Sequence, residues 1–255
     1  MALGIASASA QITEGEPSAK KIRTGNRPEA GNFGLYMGVT SNMFSDMFNS
    51  RVHLTALPLI NFKYMATDQL ELRLGFEFYE NSERLKGDYT DSNIKLSSFE
   101  RQGKSNGMFY PGVAYHFSKS NILDVYVGGE IPIGWNSTFV RHEESSLNYR
   151  DAVDTFSTKT TKNAFQIGIG AFIGLQVFVA NLPLALGVEY GISARFDAGL
   201  KYKNEINHNG KKQIFYTADS DAFSSISSSR NFDTLKAKKG QIGNQVRLTI
   251  SYYFK

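Results

Sequence analysis

Ten charged side chains interrupt apolar stretches of this chain at every-other-residue spacing. They are Lys63, Glu71, Arg73, Glu77, Asp124, Glu130, Glu189, Arg195, Asp197 and Arg247. The stretch LELRLGFEF shows the pattern: Glu71, Arg73 and Glu77 stand between Leu70, Leu72, Leu74, Phe76 and Phe78. Such a spacing puts all the charges of a strand on one face. The set holds six carboxylates and four cations. Unpaired, each would be costly in a low-dielectric interior. The expectation is a plug of Arg/Lys–carboxylate pairs, with Arg73, Arg195 and Arg247 as bidentate hubs. The alternative is a gated polar path through the same groups.

Catalysis would need a nucleophile, a base and an orienting group within reach of one another. The chain has no cysteine, which removes thiolate nucleophiles and Cys-ligated metals. Its four histidines are His53, His116, His142 and His208. None belongs to a Ser-His-Asp or HxxH spacing. His116 falls on the polar face of a strand near a short turn, and the other three lie in or beside long connections. The glycines of GIGAFIG at 168–174 do not fit a phosphate-binding loop and precede no helix. They are read as packing positions. Nothing here calls for a metal or a cofactor.

The elements that carry these residues are strands. Alternating segments run over about 32–41, 54–66, 69–80, 107–117, 122–135, 163–179, 183–197 and 240–255. No apolar run is long enough for a transmembrane helix. Connections after the second, fourth and sixth segments are tight, at 66–69, 118–121 and 180–183. Those after the first, third, fifth and seventh are long, at 42–53, 81–106, 136–162 and 198–239. Short and long alternate strictly, as they do in outer-membrane barrels.

Alternation alone does not say which face is inside. A soluble barrel would turn its apolar face inward; a membrane barrel would turn it to lipid. Two features favour lipid. The small-beside-large mixture expected of a filled interior lies on the charged face, where Gly128, Gly168, Gly170, Gly174, Gly187 and Gly191 mix with Arg, Glu, Gln and Tyr. Aromatics gather at strand ends, with Tyr64, Tyr115, Phe117, Tyr252 and Phe254 at the short-turn end and Phe78, Trp135 and Phe196 at the other.

The start, MALGIASASAQITEGEP, contains Ala8-Ser9-Ala10 before Gln11, which resembles a signal-peptidase site. Residues 1–10 are expected to be an export-signal remnant, 11–30 a flexible lead-in and 31–255 one β domain. The alternating loop lengths, this remnant and the C-terminal RLTISYYFK together resemble the small outer-membrane barrels of Gram-negative bacteria, the OmpA/OmpX/OmpW-like group. The resemblance implies an all-β fold: an eight-stranded antiparallel up-and-down transmembrane β-barrel with short periplasmic turns and long extracellular loops. It further implies both termini in the periplasm, a monomer, and insertion by the outer-membrane assembly machinery. The assembly signal would be Val246, Leu248, Ile250, Tyr252 and Phe254. Lys255 after the terminal aromatic departs from the usual pattern.

The leading functional expectation is a structural or interaction barrel displaying outer loops. A narrow pore or conduit for small hydrophobic molecules is the second reading, and an envelope enzyme the third. Net charge is +4, too mild to imply nucleic acid. The 198–239 connection holds Lys201, Lys203, Lys211, Lys212, Arg230, Lys236, Lys238 and Lys239 against Glu205, Asp219, Asp221 and Asp233, a local +4 from eight cations and four anions. It is either a solvated loop or a contact for lipopolysaccharide phosphates.

Overall fold

The computed structural model describes residues 26–40, 59–117, 122–147, 152–179, 182–219, 222–223 and 230–255. The expected export-signal remnant 1–10, residues 11–25 of the expected lead-in, the first long connection with His53, the turn at 118–121 and Asp221 lie outside the described residues. The chain forms β1 (Phe33–Thr40), β2 (Leu59–Met65), β3 (Leu70–Asp91), β4 (Ile94–His116), β5 (Leu123–Glu130), β6 (Ile133–Leu147), β7 (Val153–Phe178), β8 (Leu184–Ala198), β9 (Lys201–His208), β10 (Lys211–Ala218) and β11 (Lys238–Phe254).

Every pairing is antiparallel. Eight strands close a hydrogen-bonded ring in the order β1-β2-β3-β4-β5-β7-β8-β11 and back to β1. The closing seam is β11 on β1, with Phe254 opposite Phe33 and Arg247 opposite Thr40. Chain ends that meet in this way leave the ring without an open edge.

The count of eight describes the ring, not the sheet, which has eleven strands. Two of the expected long connections are largely strand, and a third carries a hairpin. β3 and β4 stay paired out to Asp91 opposite Ile94, and β6 and β7 out to Leu147 opposite Val153. The 198–239 connection contains the β9–β10 hairpin. Two-residue turns with positive φ at both positions, Ser92-Asn93 and Asn209-Gly210, end two of these extensions, as the twist of paired strands favours. The expected fifth strand is broken at Ile131-Pro132, where proline has no N–H to give the ladder. Beyond the break β6 takes over the place of β5 between β4 and β7. Past the ring, a six-stranded sheet in the order β3-β4-β6-β7-β9-β10 therefore continues upward.

The two faces of the ring are opposite in character. Outward positions are apolar and exposed on every strand, including Met37 on β1, Phe62 on β2, Leu74 on β3, Val113 on β4, Val127 on β5, Ile173 on β7, Val188 on β8 and Leu248 on β11. Ile169 is 68% exposed and Phe196 66%. Inward positions carry the buried charged and polar groups, with rings such as Tyr126 and Phe172 packed among them. This is the reverse of the order water imposes on a soluble protein. Aromatic rings gather at both ends of the apolar belt. Phe33 lies 5.0 Å from Tyr64 and 6.3 Å from Phe254 at the short-turn end, and Phe109 lies 6.2 Å from Trp135 at the other.

Candidate functional site

All ten charged residues face the ring interior, because each shares the strand phase of the buried polar set. Lys63, Glu71, Arg73, Asp124, Glu189, Asp197 and Arg247 are buried; Glu77, Glu130 and Arg195 are partly so. Lys63 retains only 2% of its surface and Glu71 none.

Arg73 is the lower hub. Its Nε donates to Glu71 and its Nη1 donates to Glu189 at 2.5 Å. Glu71 also faces the Lys63 ammonium at 3.5 Å and His116 Nε2 at 3.4 Å. His116 Nδ1 lies 2.5 Å from Asp124, which accepts a further hydrogen bond from Gln176 at 2.8 Å. Glu189 accepts from Tyr36 at 2.9 Å and from Tyr126 at 2.8 Å. Above it, Arg247 makes the bidentate pair expected of it, donating to the two oxygens of Glu130 at 3.1 and 2.7 Å. Planar fork-to-fork pairing of this kind is among the strongest polar contacts a side chain makes.

Arg195 does not act as a hub. Its side chain is 39% exposed and meets one carboxylate, Asp197, at 3.1 Å. Gln166 and Gln241 donate to the same Asp197. The reason is position: Arg195 stands at the top of the ring, where water solvates the guanidinium and no second carboxylate is opposed to it. Glu77 accepts from Tyr110 at 3.1 Å rather than from a cation.

Several participants carry no charge or no strand pattern, and the sequence reading passed over them. The buried tyrosines Tyr36, Tyr126 and Tyr253 surround the cations. The Arg73 guanidinium stands 4.9 Å from the Tyr126 ring centre and 4.6 Å from that of Phe172. Lys63 stands 5.1 Å from Tyr36 and 5.5 Å from Tyr253. Some interior glycines make room for these rings. A Cβ on Gly174 would run into the Tyr126 ring, and one on Gly128 into Phe172. Strand phase alone placed Tyr36 and Tyr126 with the charges; their neutrality hid them.

At the short-turn end the residues before β1 lie across the mouth. Ala30 N donates to Asp68 at 2.9 Å, and Arg27 reaches to 3.8 Å from Asp124. A cavity of about 900 Å³ opens there, lined by Arg27, Asp68, Gln69 and Tyr253 among others. At the other end a cavity of about 200 Å³ reaches Arg247, Glu130 and Arg195. The Lys63–Glu71–Arg73–Glu189 cluster fills the interior between the two. Higher still, in the upper sheet, Lys162 donates to Asp219 at 2.9 Å. Burial, the largest single influence, would lower the Lys162 pKa, but the hydrogen bonds and charges of Asp219 and Tyr202 together raise it.

The lysines of 198–239 do not form one patch. Lys203 and Lys212 both contact Glu205, at 2.7 and 2.6 Å. Lys201 donates to the Leu235 carbonyl. Lys211 is at the hairpin end, and Lys236, Lys238 and Lys239 are at the start of β11. The terminal-strand residues Val246, Leu248, Ile250, Tyr252 and Phe254 all point outward and are exposed, while Tyr253 between them is buried. His142 and His208 lie on β6 and β9, within 3.5 Å of Glu144 and 3.7 Å of Asp154.

No protein-family model and no curated protein sequence matches the chain. Among solved structures, it is similar to a major outer membrane protein from Thermus thermophilus, at 14% identity over 88% of this chain and 100% of that one, with a TM-score of 0.33. It is also similar to LpxR from Salmonella typhimurium, at 9% identity, 88% and 100% coverage and a TM-score of 0.22. Overlaps this loose leave the reading to rest on the sidedness of the ring.

Proposed function

We propose that this chain is an integral outer-membrane β-barrel whose interior is a closed charge network and whose upper sheet is displayed at the cell surface. One observation carries the reading: around all eight strands of the ring the exposed face is apolar, and the buried face encloses an ionic network. Lipid is the solvent that stabilises such an arrangement, since every backbone group in a closed ring is paired internally. Short turns and both described chain ends then lie in the periplasm, and the β3–β4, β6–β7 and β9–β10 extensions outside the cell. The role is structural and presentational rather than enzymatic, and the barrel works as a monomer.

The filled interior favours a plug over a pore, because an eight-stranded ring leaves space that side chains just fill. Fractionation tests the location. The protein should co-sediment with outer membrane and migrate faster on a gel unheated than boiled. Recovery only in the soluble fraction refutes the membrane reading. Planar-bilayer recording tests the plug. The wild type should pass no current, whereas steady single-channel conductance, lost or altered in Arg247→Ala, would establish the narrow pore instead.

A further inference from the structure

Above the apolar belt, the outward face of the upper sheet carries a row of like charges. The register sets Arg84 directly opposite Arg101, Arg101 opposite Arg141, and Arg141 opposite Lys159. Four cations thus stand side by side on four adjacent strands, a row about 15 Å long at the usual strand spacing. Like charges directly opposite one another destabilise a sheet, and this row repeats the arrangement three times in succession.

The side chains are also seated. Arg84 and Arg141 flank the Phe99 ring, at 5.4 and 5.8 Å from its centre, and Arg101 lies 5.3 Å from that of Phe139. These contacts hold the guanidinium groups over the sheet surface without neutralising them. Among the described residues, Glu143 is the carboxylate within ion-pairing range of the row, and it engages Arg141. By contrast, the neighbouring lysines Lys203 and Lys212 share Glu205. Glu143 engages Arg141 and Glu205 stands opposite Lys159 on β9, so four cations face two carboxylates, and the excess, carried by the ring-seated Arg84 and Arg101, is arranged for an external anion. Guanidinium groups in such a set pair bidentately with oxyanions, phosphate among them.

Height narrows the source of the phosphate. The row lies six residues beyond Phe78, Trp135 and Phe165, the aromatics that mark the upper edge of the belt. Six residues of strand rise about 20 Å, or about 15 Å above the belt at an ordinary barrel tilt. The headgroup layer of a phospholipid leaflet is only about 5–8 Å deep. The row stands above it, level with the sugars of a glycolipid head.

We propose that Arg84, Arg101, Arg141 and Lys159 form a binding site for phosphate esters on the sugar head of a surface glycolipid in the surrounding leaflet. The inference rests on the membrane reading above. It moves the expected lipopolysaccharide contact from the lysines of 198–239 to a row that only the register assembles.

The test uses the full chain in a neutral detergent, probed with lipopolysaccharide retaining its phosphorylated core, the same glycolipid after chemical dephosphorylation, and inorganic phosphate. Binding is read by the shift in melting temperature and by direct titration. Arg101→Gln is the test variant, and Lys104→Gln on the opposite face of the same strand is the control. Without glycolipid, Arg101→Gln should melt no lower than wild type, because it relieves repulsion from both neighbours. With phosphorylated glycolipid it should bind roughly tenfold more weakly, the effect of one charge-assisted contact, while Lys104→Gln binds as wild type. Dephosphorylated glycolipid and inorganic phosphate should bind far more weakly than the phosphorylated glycolipid. Equal binding of the two glycolipids, or of the two variants, overturns the site. Inorganic phosphate binding as tightly as glycolipid overturns the lipid as its source. A chain that forms the compact, heat-modifiable species yet shows any of these results leaves the barrel intact and the site refuted; a chain that never forms it refutes both.

Discussion

The ring interior and the outward face of the upper sheet both concentrate arginine, but they solve opposite problems. Inside, Arg73 and Arg247 are buried, and each meets carboxylates with good geometry. Interior register sets Arg247 opposite Glu189 and Glu189 opposite Gly174, and where two cations do meet, Lys63 opposite Arg73, Glu71 contacts both. Outside, Arg84, Arg101, Arg141 and Lys159 stand opposite one another with solvent around them. The difference follows from the dielectric. A buried charge without a partner costs several kcal/mol, so the fold cannot tolerate one. An exposed charge is screened by water and salt, so a repulsive row costs only a little and remains available to a ligand.

The comparison breaks most visibly if the interior loses a partner. Glu189→Gln withdraws the negative charge that Arg73, Tyr36 and Tyr126 contact and that Arg247 approaches to 3.9 Å. It should cost about 3–5 kcal/mol. Urea titration in detergent, followed through the single tryptophan at the upper girdle, Trp135, measures this. A loss below about 1 kcal/mol would mean that water reaches the cluster and the interior is not dry. Gly174→Ala comes next. The added methyl meets the Tyr126 ring, and overpacking of this kind costs about 1–3 kcal/mol. The same titration in a Tyr126→Phe background should retain most of the penalty, since ring carbons are the nearest atoms to the added methyl; a vanished penalty would mean that the ring can move aside.

How far the sequence could carry these conclusions depended on periodicity. Within the belt, each strand alternates between lipid-facing and interior residues, so Glu71, Arg73 and Glu189 could be set on one face from spacing alone. Above the belt both faces are polar. In SERLKGDYTD of β3 the alternation vanishes while the hydrogen-bond ladder continues. The extensions therefore read as loops. Arg195 looked identical to Arg247 in spacing, and only its height at the rim separates them. Arg27 comes from a stretch with no period at all, so its approach to Asp124 was invisible. The cationic row was equally hidden: its four members come from four strands, and no spacing within a strand encodes which residues stand opposite.

The smallest effect sharpens the comparison at the exposed end. Glu205 is held down to about 2, first by the hydrogen bond from Lys203 and then by that from Lys212. An unfolded glutamate titrates near 4.3, so the folded carboxylate binds its proton less readily than the unfolded one. The contribution is fully present above that unfolded value and is lost as pH falls through about 2. Because Lys203 and Lys212 reach into solvent while Glu205 is partly covered, screening leaves the effect small. Amide exchange in the β9–β10 hairpin should therefore quicken slightly as pH falls from about 5 to about 2, beyond the intrinsic pH dependence of exchange, and Glu205→Gln should abolish that excess. Adding salt should shrink the wild-type excess as well, since it screens a solvent-exposed pair. Glu71, buried against Arg73 and Lys63, should show no such salt dependence in its contribution to unfolding, and equal salt sensitivity at both sites would erase the distinction between a dry interior and a wet outer face.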